Sequence, residues 1–164
     1  MHPLIKYCFV VAIGLTATSA LGQTQSTKSS KADEMFMGDL DEVNMAKPAQ
    51  DKAQTEEVKN FGKMLEQDHG EHSQKVQSKA QELGVTPPQE PNATQKAMYD
   101  RLSKISGEKF DSLFVREMVS DHKKDIGKYE KEAKSKSPLA DFAKETLPTL
   151  QHHLQTAEAL EKQK

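Results

Sequence analysis

Two stretches of the chain carry the same residues in the same order. Phe61-x-x-x-Leu65-x-x-Asp68-His69 matches Phe114-x-x-x-Met118-x-x-Asp121-His122 position for position. Phe and Asp are seven residues apart in each, close to two helical turns, so on a helix both lie along one face. Asp and His then fall three and four residues past an apolar Leu65 or Met118, beside the stripe a helix buries. His72 follows His69 by about one turn, and Asp125 follows Asp121 likewise. His153 lies three past Leu150 and seven before Leu160, on an apolar stripe, whereas His152 is turned off that stripe by about 100°. Upstream, Glu42 borders a stripe of Met35, Leu40, Val43 and Ala46.

Ionisable groups are costly in an apolar interior unless they are paired or bind a metal. Glu42, Asp68, His69, Asp121, His122 and His153 supply the oxygen and nitrogen ligands that zinc, iron, manganese or copper accept. Four helices can bring such groups together in a bundle core. The expectation is one divalent transition metal held by histidines and carboxylates. The same residues also fit a metal-free layer in which Asp–His pairs satisfy one another and fix helix register. A third reading leaves them partly exposed and solvated.

A complete di-iron ligand set is absent. Glu66-Gln67-Asp68-His69 has the Glu-x-x-His spacing, but Val119-Ser120-Asp121-His122 and Leu150-Gln151-His152-His153 lack the glutamate. A redox or hydrolytic enzyme built on one metal would further need an open coordination position and a pocket. Met35, Met37, Met45, Met64, Met98 and Met118 sit largely at helical core spacing and read as packing rather than as copper ligands. The sequence holds no nucleophile motif, phosphate loop or nucleotide fingerprint.

The elements that must position these groups read as helices. From Asp33 onward Ala, Glu, Lys, Gln, Leu and Met dominate, and Gly and Pro fall at punctuation points. Five segments follow: about 32–53, interrupted near Ala46–Lys47 by Pro48; from Thr55 as N-cap to Gly84; a short one over 93–104; about 108–134; and from Ser137-Pro138 to about Glu161, with Pro148 inside. Apolar stripes at helical spacing (Val58, Phe61, Leu65, Val76 and Leu83; Phe110, Phe114, Met118, Ile126 and Tyr129; Leu139, Phe142, Leu150, Ala157 and Leu160) point to an all-α, four-helix bundle with an additional short helix, its long segments antiparallel to their neighbours. Equal offsets in the two matched stretches place His69 and His122 within roughly 10 Å of each other if their helices pair.

The N-terminus has its own pattern. Lys6 precedes an apolar run from Tyr7 to Leu15, then small residues and Ala20-Leu21-Gly22. This reads as a signal peptide over 1–22, and hence as export to a periplasm or the exterior. Residues 23–31 are polar and aperiodic and read as a disordered linker, and the bundle then occupies 32–164. Removing 22 residues from 164 leaves 142, enough for one domain. Cys8 is the only cysteine and leaves with the signal, which excludes disulfides and thiolate sites. The formal charge of −2 for the whole chain offers no basic face for nucleic acid, and the mature chain has no apolar span long enough for a membrane.

An ordered set of short motifs resembles one bacterial family. Glu42-Val43, Val58-Lys59-x-Phe61, Asp68-His69, Leu83-Gly84-Val85, Leu102-x-x-x-Ser106-Gly107-x-x-Phe110-Asp111, Met118-Val119-x-Asp121-His122-x-x-Asp125 and Thr146-Leu147-Pro148-Thr149-Leu150-x-x-His153 carry the likeness over about 33–160. The chain is similar to a family of secreted proteins with a domain of unknown function, often labelled outer membrane proteins and grouped with ferritin-like four-helix bundles. The resemblance implies a ferritin-like fold, export, and Glu42, Asp68, His69, Asp121, His122 and His153 as its recurring polar positions. Pro48 departs from the family, which has an apolar helical residue there, and so bears on where Glu42 is held. No β-barrel alternation supports the outer-membrane label.

Overall fold

Where the sequence favours helix, the backbone is helical, and each helix ends for a local reason. A computed structural model describes residues 20–163; residues 1–19, which make up most of the signal-peptide reading, lie outside them. The described elements are α1 (Ala20–Ala46), α2 (Ala49–Lys52), α3 (Glu56–Leu83), α4 (Ala93–Ser103), α5 (Glu108–Ala133) and α6 (Ala140–Glu161), with no strand among the described residues. No described helix is long and apolar enough to cross a membrane.

Pro48 cannot donate a backbone bond, and the chain turns at Lys47–Pro48 before the single turn of α2. The break falls after Ala46, so Glu42 stays inside α1. Thr55 caps α3 by accepting from the Val58 N–H, Glu56 and Glu57 occupy its first turn, and Gly84 closes it in the left-handed conformation at φ 67°. Asn92 and Gln95 form a capping box on α4.

Two expectations need correction. Residues 23–31, read as a disordered linker, are helical backbone continuous with α1. Extending an existing helix needs no new nucleus, so a polar stretch of Gln, Ser, Thr and Lys can follow a formed neighbour. The last helix begins at Ala140, not at Pro138. Ser137 still serves the turn: its Oγ accepts from Leu139 N at 3.0 Å, and its carbonyl accepts from Ala140 N at 3.1 Å.

Side-chain contacts set the helix directions. Asp39 meets His72 and Glu42 meets His69, so α1 runs antiparallel to α3. Asp68 meets His153 and Thr146 meets His72, so α3 runs antiparallel to α6. Met35 meets Tyr129 and Glu42 meets His122, so α1 is antiparallel to α5, and the short 134–139 turn reverses the chain between α5 and α6. Neighbours around the bundle, in the order α1, α3, α6, α5, are therefore all antiparallel, as the sequence implies. The diagonal pair α3 and α5 is parallel, which is why the loop after Gly84, α4 and the Gly107 turn must carry the chain back along the bundle.

Asp111 ties the N-termini of that diagonal pair together. Its buried carboxylate accepts from Gln54 N at 2.9 Å, Thr55 N at 3.2 Å and Thr55 Oγ1 at 2.9 Å. Asp111→Ala strands two backbone donors beside the α3 cap, and chemical denaturation should show a loss of about 2–4 kcal/mol with little change in denaturant slope.

The core has two apolar layers. Met45, Phe61, Leu65, Phe110, Phe114 and Met118 fill one, at the N-terminal ends of α3 and α5. Phe36, Val76, Tyr129, Phe142 and Leu150 fill the other, toward the opposite end. Between them lies a slab of buried polar groups: Asp39, Glu42, His69, His122, Thr146 and His153. On α1 the buried face is Ala32, Met35, Phe36, Asp39, Glu42, Met45 and Ala46, whereas Leu40 and Val43 are only half-buried. The expected α1 stripe is thus rotated, and Glu42 sits within the buried face rather than at its border.

Candidate metal centre

Four helices contribute one group each to the centre of the slab. Glu42 from α1, His69 from α3, His122 from α5 and His153 from α6 each place one ligand atom so that all four lie within 4.8 Å of one another. All four residues are buried, His122 and His153 completely. The His69 ring lies 5.8 Å from that of His122 and 5.0 Å from that of His153, centroid to centroid, inside the approach expected from the matched stretches. The Glu42 Oε2 atom touches His69 Nε2 and lies 3.4 Å from His122 Nε2, and His122 Nε2 lies 3.2 Å from His153 Nδ1. A tetrahedral ion with ligand distances of about 2.0–2.1 Å has ligand–ligand edges of about 3.3–3.4 Å, close to the last two separations.

The outer nitrogen of each ring explains which way the inner one faces. His69 Nδ1 donates to Asp39 Oδ1 at 2.8 Å, His122 Nδ1 to the Met118 carbonyl at 2.9 Å, and His153 Nε2 to Asp68 Oδ2 at 2.8 Å. Those acceptors hold no proton of their own to give, so each outer ring nitrogen must carry the hydrogen. A neutral imidazole has only one N–H. With all three rings neutral, the inner atoms, His69 Nε2, His122 Nε2 and His153 Nδ1, are lone pairs converging on one another and on the Glu42 carboxylate. Such lone pairs in mutual contact repel unless a proton or a metal cation lies among them. Both Glu42 oxygens and His69 Nε2 are buried without a well-aligned hydrogen bond. Glu42 Oε2 and His69 Nε2 are nevertheless in close contact as an ion pair. Imidazoles steered from behind by carboxylates or carbonyls are the usual arrangement around a bound metal.

The electrostatics show what the groups do to one another. Burial opposes charge on Glu42, but His69 and His122 outweigh it and hold the carboxyl down at about 2. Burial also opposes a charge on His69; Glu42 and Asp39, on its two sides, outweigh it and raise the ring to about 10. His153 goes the other way, to about 4, because burial disfavours its charged form more than Asp68 favours it. Asp39 is lowered: burial raises it, and hydrogen bonds from His69 and His72 more than reverse that.

The six sequence-predicted ligands divide. Glu42, His69, His122 and His153 meet. Asp68 stands behind His153 as its hydrogen-bond partner. Asp121 does not join: it is half-buried on another side of α5, paired with Lys124 at 2.9 Å. Successive helical residues diverge by about 100°, so with His122 pointing inward Asp121 must point aside. The same rotation applies to Asp68, but there α6 brings His153 within reach, whereas Asp121 faces the side of Asp41 and Glu117. His152 is exposed, as its position off the stripe implies.

One contributor escapes the sequence reading. Asp39 receives both His69 and His72, the latter at 2.7 Å, and His72 continues to Thr146 Oγ1 at 2.9 Å. Asp39 lies three residues before Glu42 and three after Phe36, so the spacing of the true α1 face carries that signal. A cavity of about 410 Å³ reaches this side of the centre, lined among others by Asp39, Asp68, His69, His72, Tyr129 and Thr146.

No curated protein and no solved structure matches the chain. The model of one family, described as a domain of unknown function (DUF4142), matches residues 14–160. That match takes in all four converging residues and nearly the whole bundle, and the chain belongs to this family.

Proposed function

We propose that this protein binds one divalent transition-metal ion in its core, through His69 Nε2, His122 Nε2, His153 Nδ1 and Glu42, and acts as a metal-binding accessory protein outside the cytoplasm. One observation carries the reading: each of three imidazoles has its outer nitrogen occupied by a fixed acceptor, which turns the three inner nitrogens and the buried Glu42 carboxylate onto one point. Three nitrogens and one oxygen suit zinc, iron, manganese or copper, and no thiolate biases the choice. Bound there, a metal supplies a Lewis-acidic or redox centre. The chain's own part is to hold the rings, orient them through Asp39, Asp68 and the Met118 carbonyl, and keep bulk water out.

The ferritin-like assignment is supported by the antiparallel neighbours and the single crossover between α3 and α5. Export is supported by the charged, apolar and small-residue pattern before Gln23, and the mass of exported protein should correspond to a start there.

A metal-free reading has one specific observation in its favour. His69 lies between Asp39 and Glu42, and as an imidazolium it would pair with both and cancel one of their two charges. The slab would then be a register-setting polar layer. Metal analysis of untagged protein separates the two readings.

A further inference from the structure

A second cavity, with a cluster of carboxylates in its wall, meets the centre from the side of α1, α4 and α5. It measures about 360 Å³, and its lining includes Asp41, Glu42, Glu117, Asp121 and Asp125. Two lysines also line it, but each is held by one of these carboxylates, Lys124 by Asp121 at 2.9 Å and Lys128 by Asp125 at 2.8 Å, and both side chains are well exposed at the rim. The charged groups that face the interior are therefore carboxylates, set among Met37, Met98 and Gln95.

An acidic pocket alone need not bind anything. Here Glu42 supplies an independent sign. It is 1% exposed, it lines this cavity, and while Oε2 is the atom turned to His69 and His122, Oε1 accepts no hydrogen bond from any group. A buried carboxylate oxygen without a donor is costly, and a cation beside it offsets that cost. The volume would hold roughly a dozen waters at about 30 Å³ each, so an ion can enter with most of its hydration shell. Gly38 keeps the α1 wall open, because a Cβ there would stand 2.9 Å from Asp125 Oδ2.

We propose that this cavity is an all-oxygen loading station for divalent cations, in which Asp41, Asp121 and Asp125 capture a hydrated ion and Glu42 hands it to the three histidines. The inference rests on the metal-centre reading and adds its entry route. Hard oxygen ligands accept a partly hydrated ion readily, and the nitrogen ligands replace its remaining waters afterwards. A cleft lined by one sign of charge raises the on-rate of an oppositely charged ligand by roughly 10–10³.

Cobalt(II) tests this, because its visible absorption band reports the four-coordinate histidine site. Wild-type protein mixed with cobalt in a stopped-flow instrument should develop the band at a rate that saturates with cobalt concentration, as a prior capture step requires. The double variant Asp121→Asn/Asp125→Asn should reach the same final band at least about ten-fold more slowly. Lys124→Gln/Lys128→Gln alters only rim residues, should fold normally, and should load several-fold faster. Asp141→Asn, on an exposed carboxylate paired with Lys144 outside this cavity, should load at the wild-type rate. Wild-type rates in both double variants, with the final band intact, would overturn the loading station and leave the metal centre standing. No band in wild-type protein would overturn the metal-centre reading and the loading station with it.

Discussion

Alanine in place of His122 is expected to lower metal affinity by more than roughly 100-fold, the largest effect of any single substitution in the chain. His122 is fully buried, and its Nε2 lies within reach of both Glu42 and His153, so its loss opens the ligand set at the middle. Competition against a chromophoric chelator reads the affinity directly. The comparison across the slab makes the result specific. Asp68→Asn should weaken binding by roughly 10–100-fold, because it leaves the His153 ligand in place but loosens the bond that orients it. Asp121→Asn and His152→Ala should leave equilibrium affinity unchanged, the first because Asp121 points aside and the second because His152 is in solvent. Equal behaviour of His122→Ala and His152→Ala would remove the basis for a centre at this position. His122→Phe offers a further contrast. A purely structural polar layer tolerates an apolar replacement, with melting temperature unchanged or raised. A metal centre loses its ion and the stability the ion contributes.

The second large effect is the dependence of stability on pH and on metal. Without metal, His69 has a folded pKa raised to about 10 against an unfolded value near 6.5. A raised pKa means that the proton stabilises the fold. The contribution is complete below pH 6.5 and is lost as pH climbs from there through 10. His153 has the opposite sign: its folded pKa of about 4 makes the neutral ring the stable one, so that stability disappears as pH falls from 6.5 toward 4. Glu42, held at about 2, adds stability above pH 4.5 that fades as pH drops through 2. Metal-free protein should therefore be most stable near neutrality, with a drop of about 10 °C in melting temperature between pH 7 and 10 on the scale of a few kcal/mol. Metal takes the place of the proton between His69 and Glu42. Loaded protein should melt roughly 8–16 °C higher at a metal concentration a thousand-fold over Kd, and should hold that gain as pH rises to 10. Acid should reverse it, because protons compete for the same nitrogens. An alkaline loss of stability that metal does not suppress would favour the imidazolium layer instead.

The long elements were legible because their signals are local. Thr55, Gly84 and Pro48 mark their boundaries through caps and a missing donor, and the stripes of α3, α5 and α6 give one clear buried face each. The matched Phe-to-His stretches placed His69 and His122 at one height because equal spacing on two helices of the same bundle gives equal height. The α1 face was harder to read. Its buried side carries Asp39 and Glu42 among alanines, methionines and a single aromatic, Phe36, so a search for apolar periodicity settles on Leu40 and Val43 and rotates the helix by part of a turn. Asp39 was lost for the same reason. Asp121 shows a different limit: the two Asp-His pairs are identical in sequence, and only the neighbouring helices decide that Asp68 meets a histidine while Asp121 meets a lysine and other acids. Periodicity assigns height and face on one helix, but not which neighbour stands there.

X-ray absorption on protein expressed without a histidine tag, loaded with zinc and passed through gel filtration, tests the metal centre most directly. The expected result is one zinc per chain with a four-coordinate shell of three imidazole nitrogens and one oxygen at about 2.0–2.1 Å, abolished in His122→Ala. A protein that emerges without metal, or a shell of six oxygens indifferent to His122, would contradict it.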